Sequence, residues 1–365
     1  MARLELNSVS KAFGAARPAE DLSLTVEPGE IVAVFGPSGS GKTVLLRMIA
    51  GMFEPDDGDI QVGGRSIVGA APERRGIGMA FQNFALFPHM TARDNIASGL
   101  RAKAADVAAR VAAISKLLKI EHVLGHTPRE LSNGQKQRTA LARALIGNPE
   151  VLLLDDPLRN VDAKLRYEMR LELPSLLRRG AAAVLYVTQD YREAMAIADR
   201  IAVLIDGRLA QVATPADIYA QPASVAVARL FGDPTINLAE VTPVAEHDAL
   251  SAVVAGARTR LGSAVGAAPD GPCWLAIRPD DLVISSTPGD DAIPARILAV
   301  TPMHEKAVLL LRLADGMEWL AALPHDASLG TADDAVFVRF DPEAAMLFDR
   351  ATGLWIGLSH RRQAA

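Results

Sequence analysis

The segment Gly36-Pro37-Ser38-Gly39-Ser40-Gly41-Lys42-Thr43 packs glycines, hydroxyls and one lysine into eight residues. That spacing suits a backbone wrapped around phosphate oxygens. Glycines let successive N–H groups curl toward an anion, Lys42 supplies a point charge to the outer phosphates, and the Thr43 hydroxyl is a hard oxygen ligand for magnesium. Val44 then opens a helical run to Ala50, whose N-terminus would face the same anion. A second oxygen donor follows much later. Val151-Leu152-Leu153-Leu154 ends in Asp155, where a strand-end carboxylate can hold magnesium through water. Apolar strands ending in aspartate are common, and it is the phosphate loop upstream that gives Asp155 its chemistry.

A third segment, Leu131-Ser132-Asn133-Gly134-Gln135-Lys136-Gln137-Arg138, carries Ser132 and Gln135 at capping-box spacing. It opens a helix whose first N–H groups can face an anion. On these residues alone, an ordinary capped helix is the favoured reading.

The elements that must position these groups can be read from periodicity. Leu4 to Val9 and Asp21 to Val26 read as early strands broken by Pro28-Gly29, and Ile31 to Phe35 as a short buried strand running into Gly36. Val151 to Leu154 and Val184 to Val187 suit a parallel sheet covered on both faces. From Lys103 to Leu118, the residues Val107, Val111, Ile114 and Leu118 recur at helical spacing. After Gly232-Asp233-Pro234 the texture changes to short alternating runs such as Cys273 to Ile277 and Ala335 to Phe340, a pattern of small β-rich domains.

Composition narrows the classes. A chain of 365 residues, half apolar and 22% charged, is globular and long enough for two or three units. Cys273 is the single cysteine, which excludes an internal disulfide and points to a reducing compartment. The N-terminus lacks the layout of a secretion signal. Apolar stretches fall well short of the roughly 18 residues that span a bilayer, so membrane contact is expected through a partner. The formal charge is −5, with 18 acidic against 10 basic residues from Asp233 onward, which argues against a nucleic-acid partner. The seven histidines are dispersed without metal spacing.

Segment 131–138 resembles the signature of ABC ATPases, with Asn133 where glycine is usual. Phe13 is similar to the family's adenine-stacking aromatic. Gln82, within Phe81 to Pro88, resembles the glutamine linking γ-phosphate and magnesium to a transmembrane partner. Pro157 to Asp162 resembles the loop crossing the dimer seam, and Gln189 stands where the switch histidine is usual. The resemblance runs from residue 1 to about 235. It implies an α/β fold: a P-loop NTPase motor over residues 1–232, with an antiparallel β subdomain and a helical lobe at about 83–147. ATP is implied at Phe13, Gly36, Ser38 to Thr43 and Val44, and Mg2+ at Thr43, Gln82 and Asp155. Ser132, Asn133, Gly134 and Gln135 are implied to complete the site of a second ATPase subunit.

Phe81 to Thr91, Asn95-Ile96, Phe231 to Pro234, Asn237, Ile277 to Asp280 and Phe340 to Pro342 resemble importers for sugars, polyols and glycerol phosphate, with an OB-like TOBE domain over 233–365. That domain is expected to regulate or to make dimer contacts. Such importers imply two integral membrane permease subunits, a solute-binding protein acting indirectly, and a peripheral place on the cytoplasmic face of the inner membrane.

Two catalytic positions depart from the family. Asp156 replaces the usual water-polarising glutamate and is one methylene shorter. Phosphoryl transfer depends on in-line placement, and an error of about 1 Å costs on the order of 100-fold. Gln189 cannot become cationic. The seam loop Leu158-Arg159-Asn160-Val161-Asp162 keeps its aspartate but replaces the usual small residues. The expectation is Mg-ATP binding with slow hydrolysis in the chain's own site, paired with a different, active ATPase. A homodimer, a non-catalytic ATP-binding scaffold, and an importer of another solute are the alternatives.

Overall fold

The computed structural model describes residues 2–100, 104–180, 182–246, 249–263, 271–303, 306–324 and 330–357. They divide into two compact units, residues 1–215 and 216–365. The first contains strands β1 (Leu4–Phe13), β2 (Ala16–Val26), β3 (Ile31–Phe35), β4 (Asp57–Val62), β5 (Arg65–Ser66), β6 (Ile77–Ala80), β7 (Val151–Asp155), β8 (Ala183–Thr188), β9 (Arg200–Ile205) and β10 (Arg208–Ala213). An antiparallel sheet has the order β2-β1-β4-β5, and a six-stranded sheet the order β10-β9-β3-β8-β7-β6. In the larger sheet only the edge strand β10 runs antiparallel. Every residue of β3, β7 and β8 is buried, as expected where apolar layers cover both faces of a parallel sheet.

The early strands run longer than their apolar alternation suggests, because β1 and β2 form one hairpin closed near Phe13 and Ala16. Helix α1 (Lys42–Ala50) follows β3 directly and buries Leu45, Leu46, Met48 and Ile49. Residues 83–147 carry α2 (Ala92–Ala97), α3 (Ala104–Leu117) and α4 (Asn133–Leu145). Val111, Leu118, Ile120, Leu131 and Leu141 pack there with Leu152 and Leu154 of β7. Lys103, expected to start the amphipathic helix, lies outside the described residues. Helices α5 (Ala163–Arg179) and α6 (Tyr191–Ile197) flank β8 in sequence.

The second unit holds three antiparallel sheets formed from twelve strands among the described residues. Its division from the first differs from the boundary expected at 232/233, because residues 216–232 bond into the β-rich unit. Arg278, 2% exposed, donates to the carbonyls of Tyr219 at 2.6 Å and Phe231, and stacks its guanidinium on the Tyr219 ring. The amides of Val225 and Trp355 donate to the carbonyls of Gly353 and Ala223. Arg278 thereby joins two segments singled out in the sequence, 231–234 and 277–280. Lys306 bridges the same pair, donating to the Asp233 carbonyl at 2.7 Å and to Asp280 at 3.1 Å. Asn237 exchanges two hydrogen bonds with the Leu320 backbone.

Candidate functional site

The parallel register aligns Phe35 with Thr188 and Asp155 with Val187, so the carboxyl ends of β3, β7 and β8 meet along one edge of the sheet. Ligands of open α/β sheets bind in that crevice. The phosphate loop leaves β3 there. Gly36 cannot carry a side chain, since a Cβ would lie 2.0 Å from the Leu204 carbonyl oxygen. At Gly41 the φ is 107° and a Cβ would lie 1.8 Å from the Pro18 carbonyl oxygen. The Gly41 position caps α1 without any side-chain hydrogen bond, leaving the first-turn N–H groups of the helix for an anion.

Lys42 is 5% exposed and folds back over the loop. Its ammonium donates to the carbonyls of Gly36 at 2.8 Å and Pro37 at 2.7 Å and to the Ser40 hydroxyl at 3.3 Å. Burial pulls its pKa below the ordinary lysine range, while the charges of Asp156 and Asp155 work against that shift. Asp155, at the end of β7, is 6% exposed. Burial raises its carboxyl pKa, opposed by Arg47 and Lys42. Two buried carboxylates facing a buried ammonium, next to an uncapped helix, form a donor set matched to a polyphosphate and its divalent cation.

Asp156 follows with φ 48°, in the left-handed region that aspartate tolerates better than most residues. Its amide donates to the Val187 carbonyl at 2.8 Å, which pins the turn to the end of β8. Burial again raises its carboxyl, opposed first by Arg159, whose guanidinium lies 3.6 Å away. Two residues beyond Val187, the exposed Gln189 accepts a 3.1 Å hydrogen bond from the Ser38 hydroxyl. The phosphate loop, Asp155, Asp156 and Gln189 therefore converge on one edge.

Gln82 is tied instead to the loop that follows Asp156, its backbone carbonyl accepting from Asn160 at 3.0 Å. The segment after Gln82 turns through left-handed residues Phe84 and Ala85. Arg143 of α4 holds both carbonyls, at 3.0 and 2.6 Å. Buried Asn95 clasps the far end, with its amide donating to the carbonyls of Phe87, Met90 and Thr91 and its oxygen accepting from the Phe87 amide. Beside this segment lies an open groove of about 990 Å3 whose lining includes Met79, Phe81, Phe87 and Leu100.

Phe13 is 46% exposed at the tip of the β1–β2 hairpin, edge-on to Phe53 with centroids 5.5 Å apart. The same hairpin carries Pro18, which abuts Gly41. Ser132 caps α4: its hydroxyl accepts from the Gln135 amide at 3.3 Å, and the Gln135 side chain accepts from the Ser132 amide at 2.9 Å. Asn133 is exposed and Gly134 buried. Among the described residues, no hydrogen bond or ion pair joins Ser132, Asn133, Gly134 or Gln135 to the phosphate loop of the same chain. Sequence reasoning missed the grips of Arg143 and Asn95 and the contact of Arg159 with Asp156. The short spacing of Asp156 and Arg159, and the place of Asn95 in the importer-like stretch, were the signals the sequence offered.

Comparison with known proteins agrees with this construction. A family profile described as ABC transporter matches residues 19–159, and one described as TOBE domain matches residues 275–348. The sn-glycerol-3-phosphate import ATP-binding protein of Cereibacter sphaeroides is 40% identical over 356 residues, covering 97% of this chain and 99% of that protein. A xylose/arabinose import ATP-binding protein of Haloferax volcanii is 39% identical over 373 residues, covering 97% and 95%. A spermidine/putrescine import ATP-binding protein of Rubrobacter xylanophilus is 38% identical over 361 residues, covering 96% and 94%. Among solved structures, the ATP-binding cassette MJ0796, dimeric in a post-hydrolysis state with ADP and Pi, matches at TM-score 0.53 and 28% identity, over 58% of this chain and 98% of that one.

A strand, phosphate loop and helix at the carboxyl edge of a parallel sheet define a P-loop ATPase, and likeness along whole relatives places the chain in the ABC transporter family. Within it, the chain is an import-type ATP-binding subunit with a C-terminal TOBE domain, which binds ATP with Mg2+ and acts as an ATP hydrolase.

Proposed function

We propose that this chain drives uptake of a small solute, a carbohydrate, polyol or glycerol phosphate, with its own hydrolytic site attenuated and an unlike, active ATPase as its partner. The solute class is supported by relatives whose names specify sn-glycerol-3-phosphate and xylose/arabinose import. In this reading Lys42, Thr43 and the N–H groups from Ser38 to Val44 hold the phosphates, and Phe13 stacks on the base. Asp155, Thr43 and Gln82 would hold magnesium, which would neutralise charge on the phosphates. Ser132 to Gln135 complete the partner's site, as the resemblance of segment 131–138 to the ABC signature implies.

The observation that carries attenuation is the pairing of two substitutions on one edge. Asp156, short by one methylene, is pinned to β8 and drawn toward Arg159. Gln189 offers Ser38 a neutral amide where a cation would stabilise developing charge. The groove beside Phe81 and Phe87 supports docking of a permease subunit next to Gln82, with the chain peripheral to the cytoplasmic face of the membrane. No helix among the described residues is long and apolar enough to cross a bilayer.

The test measures ATP turnover of the purified chain and of Asp156→Glu/Gln189→His. A rise of about 100-fold is expected; brisk wild-type turnover that the double substitution leaves unimproved refutes attenuation. Affinity purification from the native membrane should recover two permease subunits and a second ATPase. Recovery of this chain as the only ATPase refutes the unlike pair.

A further inference from the structure

We propose that Arg159 and Asn160 are positioning residues that restrain this chain's own site before hydrolysis, Arg159 drawing the Asp156 carboxylate toward the seam loop and Asn160 tying down the backbone of Gln82. The inference rests on the reading of Asp156 as the residue that orients the attacking water and Gln82 as the link to the γ-phosphate.

The contacts are local on one side and long-range on the other. Arg159 follows Asp156 by three residues, its amide donating to the Asp156 carbonyl at 3.3 Å while Nη1 sits 3.6 Å from Oδ2. One residue on, Asn160 Nδ2 donates to the Gln82 carbonyl at 3.0 Å across a separation of 78 residues. The loop that projects them is itself held. Leu158 and Val161 are buried, and Arg166 donates to the carbonyls of Arg159 at 3.3 Å and Val161 at 3.0 Å. Guanidinium and amide therefore extend from an anchored base and carry its position to the two residues they touch.

A carboxylate that orients water must present a lone pair to that water. A guanidinium at one of its oxygens competes for the same lone pairs, and a side chain as short as aspartate has little reach to serve both. The Gln82 segment must likewise be free to move if it is to sense the nucleotide, and a side-chain amide on its carbonyl opposes that motion. A rival role, with Arg159 supplying the positive charge that Gln189 lacks, fits less well, because the guanidinium is directed at the carboxylate and half exposed to solvent. Half-exposed ion pairs are weak, so the expected gain on release is about 3- to 10-fold.

The test uses the full-length chain. Turnover is measured for wild type, Arg159→Ala, Arg159→Lys and Asn160→Ala, and for each again with Asp156→Glu/Gln189→His. Asn160→Ala should raise kcat by about 3- to 10-fold in both backgrounds and Arg159→Ala by the same factor over wild type but by less with Asp156→Glu, whose longer side chain reaches past the guanidinium, with KM for ATP within about 2-fold throughout, while Arg159→Lys stays near its parent. Without nucleotide, hydrogen exchange at residues 82–86 should quicken in Asn160→Ala by about 3-fold or more. A fall in kcat for Arg159→Ala at constant KM assigns it the charge-supplying role and overturns the proposal. Equal turnover in every pair, undetectable turnover included, or unchanged exchange at 82–86, also overturns it. If Asp156→Glu/Gln189→His fails to exceed wild type while Arg159→Ala and Asn160→Ala still accelerate turnover, attenuation by substitution falls and the restraint stands.

Discussion

Substituting the three glycines of the phosphate loop by alanine separates what the loop needs for folding from what it needs for binding. At Gly41 the new Cβ would meet the Pro18 carbonyl group at 1.8 Å to oxygen and 2.8 Å to carbon, both backbone atoms that cannot swing away. Overpacking of this kind costs about 1–3 kcal/mol. The φ of 107° lies outside the small left-handed well open to side-chain-bearing residues, adding about 1–3 kcal/mol of backbone strain. The sum is about 2–6 kcal/mol. At about 2–4 °C per kcal/mol for a domain of this size, the melting transition of the first unit should fall by about 4–24 °C. Gly36→Ala meets the Leu204 carbonyl at 2.0 Å without the φ penalty and should lose about 1–3 kcal/mol. Gly39→Ala, with φ 84° and nothing within 4 Å of its Cβ, carries the left-handed cost alone, about 1–2 kcal/mol. Thermal melting with and without Mg-ATP reads all three, since ligand at 100 times its Kd should add about 2.7 kcal/mol to a competent loop. Gly39→Ala melting as low as Gly41→Ala, or Gly41→Ala melting within about 2 °C of wild type, would refute the steric reasoning.

Lys42→Ala removes a buried cation that faces two carboxylates and bridges the loop carbonyls; the Mg-ATP shift in melting should vanish, with affinity down by about 100-fold or more as read by nucleotide titration. Arg278→Met deletes two charge-assisted hydrogen bonds and a ring contact inside the second unit. Its stability should fall by about 2–4 kcal/mol in urea unfolding, leaving ATP binding by the first unit intact. Glu193 is 1% exposed and its carboxyl is raised above 4.5, chiefly by burial, although Tyr186 and Thr188 donate to it. The folded state therefore binds the more protons, so stability falls as pH rises from about 4.5 through the raised value. Melting of Glu193→Gln, which keeps an acceptor for both hydroxyls, should gain on wild type across that window; a gap constant with pH refutes the assignment.

Much of the site was legible because its signals are local. The phosphate loop, the strand running into it, the Ser132–Gln135 capping pair and the carboxylate closing β7 each depend on residues within a few positions of one another. The structure shows the cap and both strands at those places. The departures at Asp156 and Gln189 were equally visible as residue types, but their physical setting was not. Nothing in the spacing of residues 38 and 189, or 82 and 160, announces that they touch.

The sequence by itself determined an α/β ATP-binding chain with a β-rich tail, since hydrophobic periodicity and short motifs follow from the geometry of single strands and helices. Only the tertiary structure decided why Gly36 and Gly41 must lack side chains, where Arg143 grips the Gln82 segment, that residues 216–232 bond into the tail, and that Arg159 reaches Asp156. Those facts arise when parallel strands adopt one register and bring their carboxyl ends together. Register is a property of hydrogen bonding between segments far apart in the chain, and local residue patterns carry no record of it.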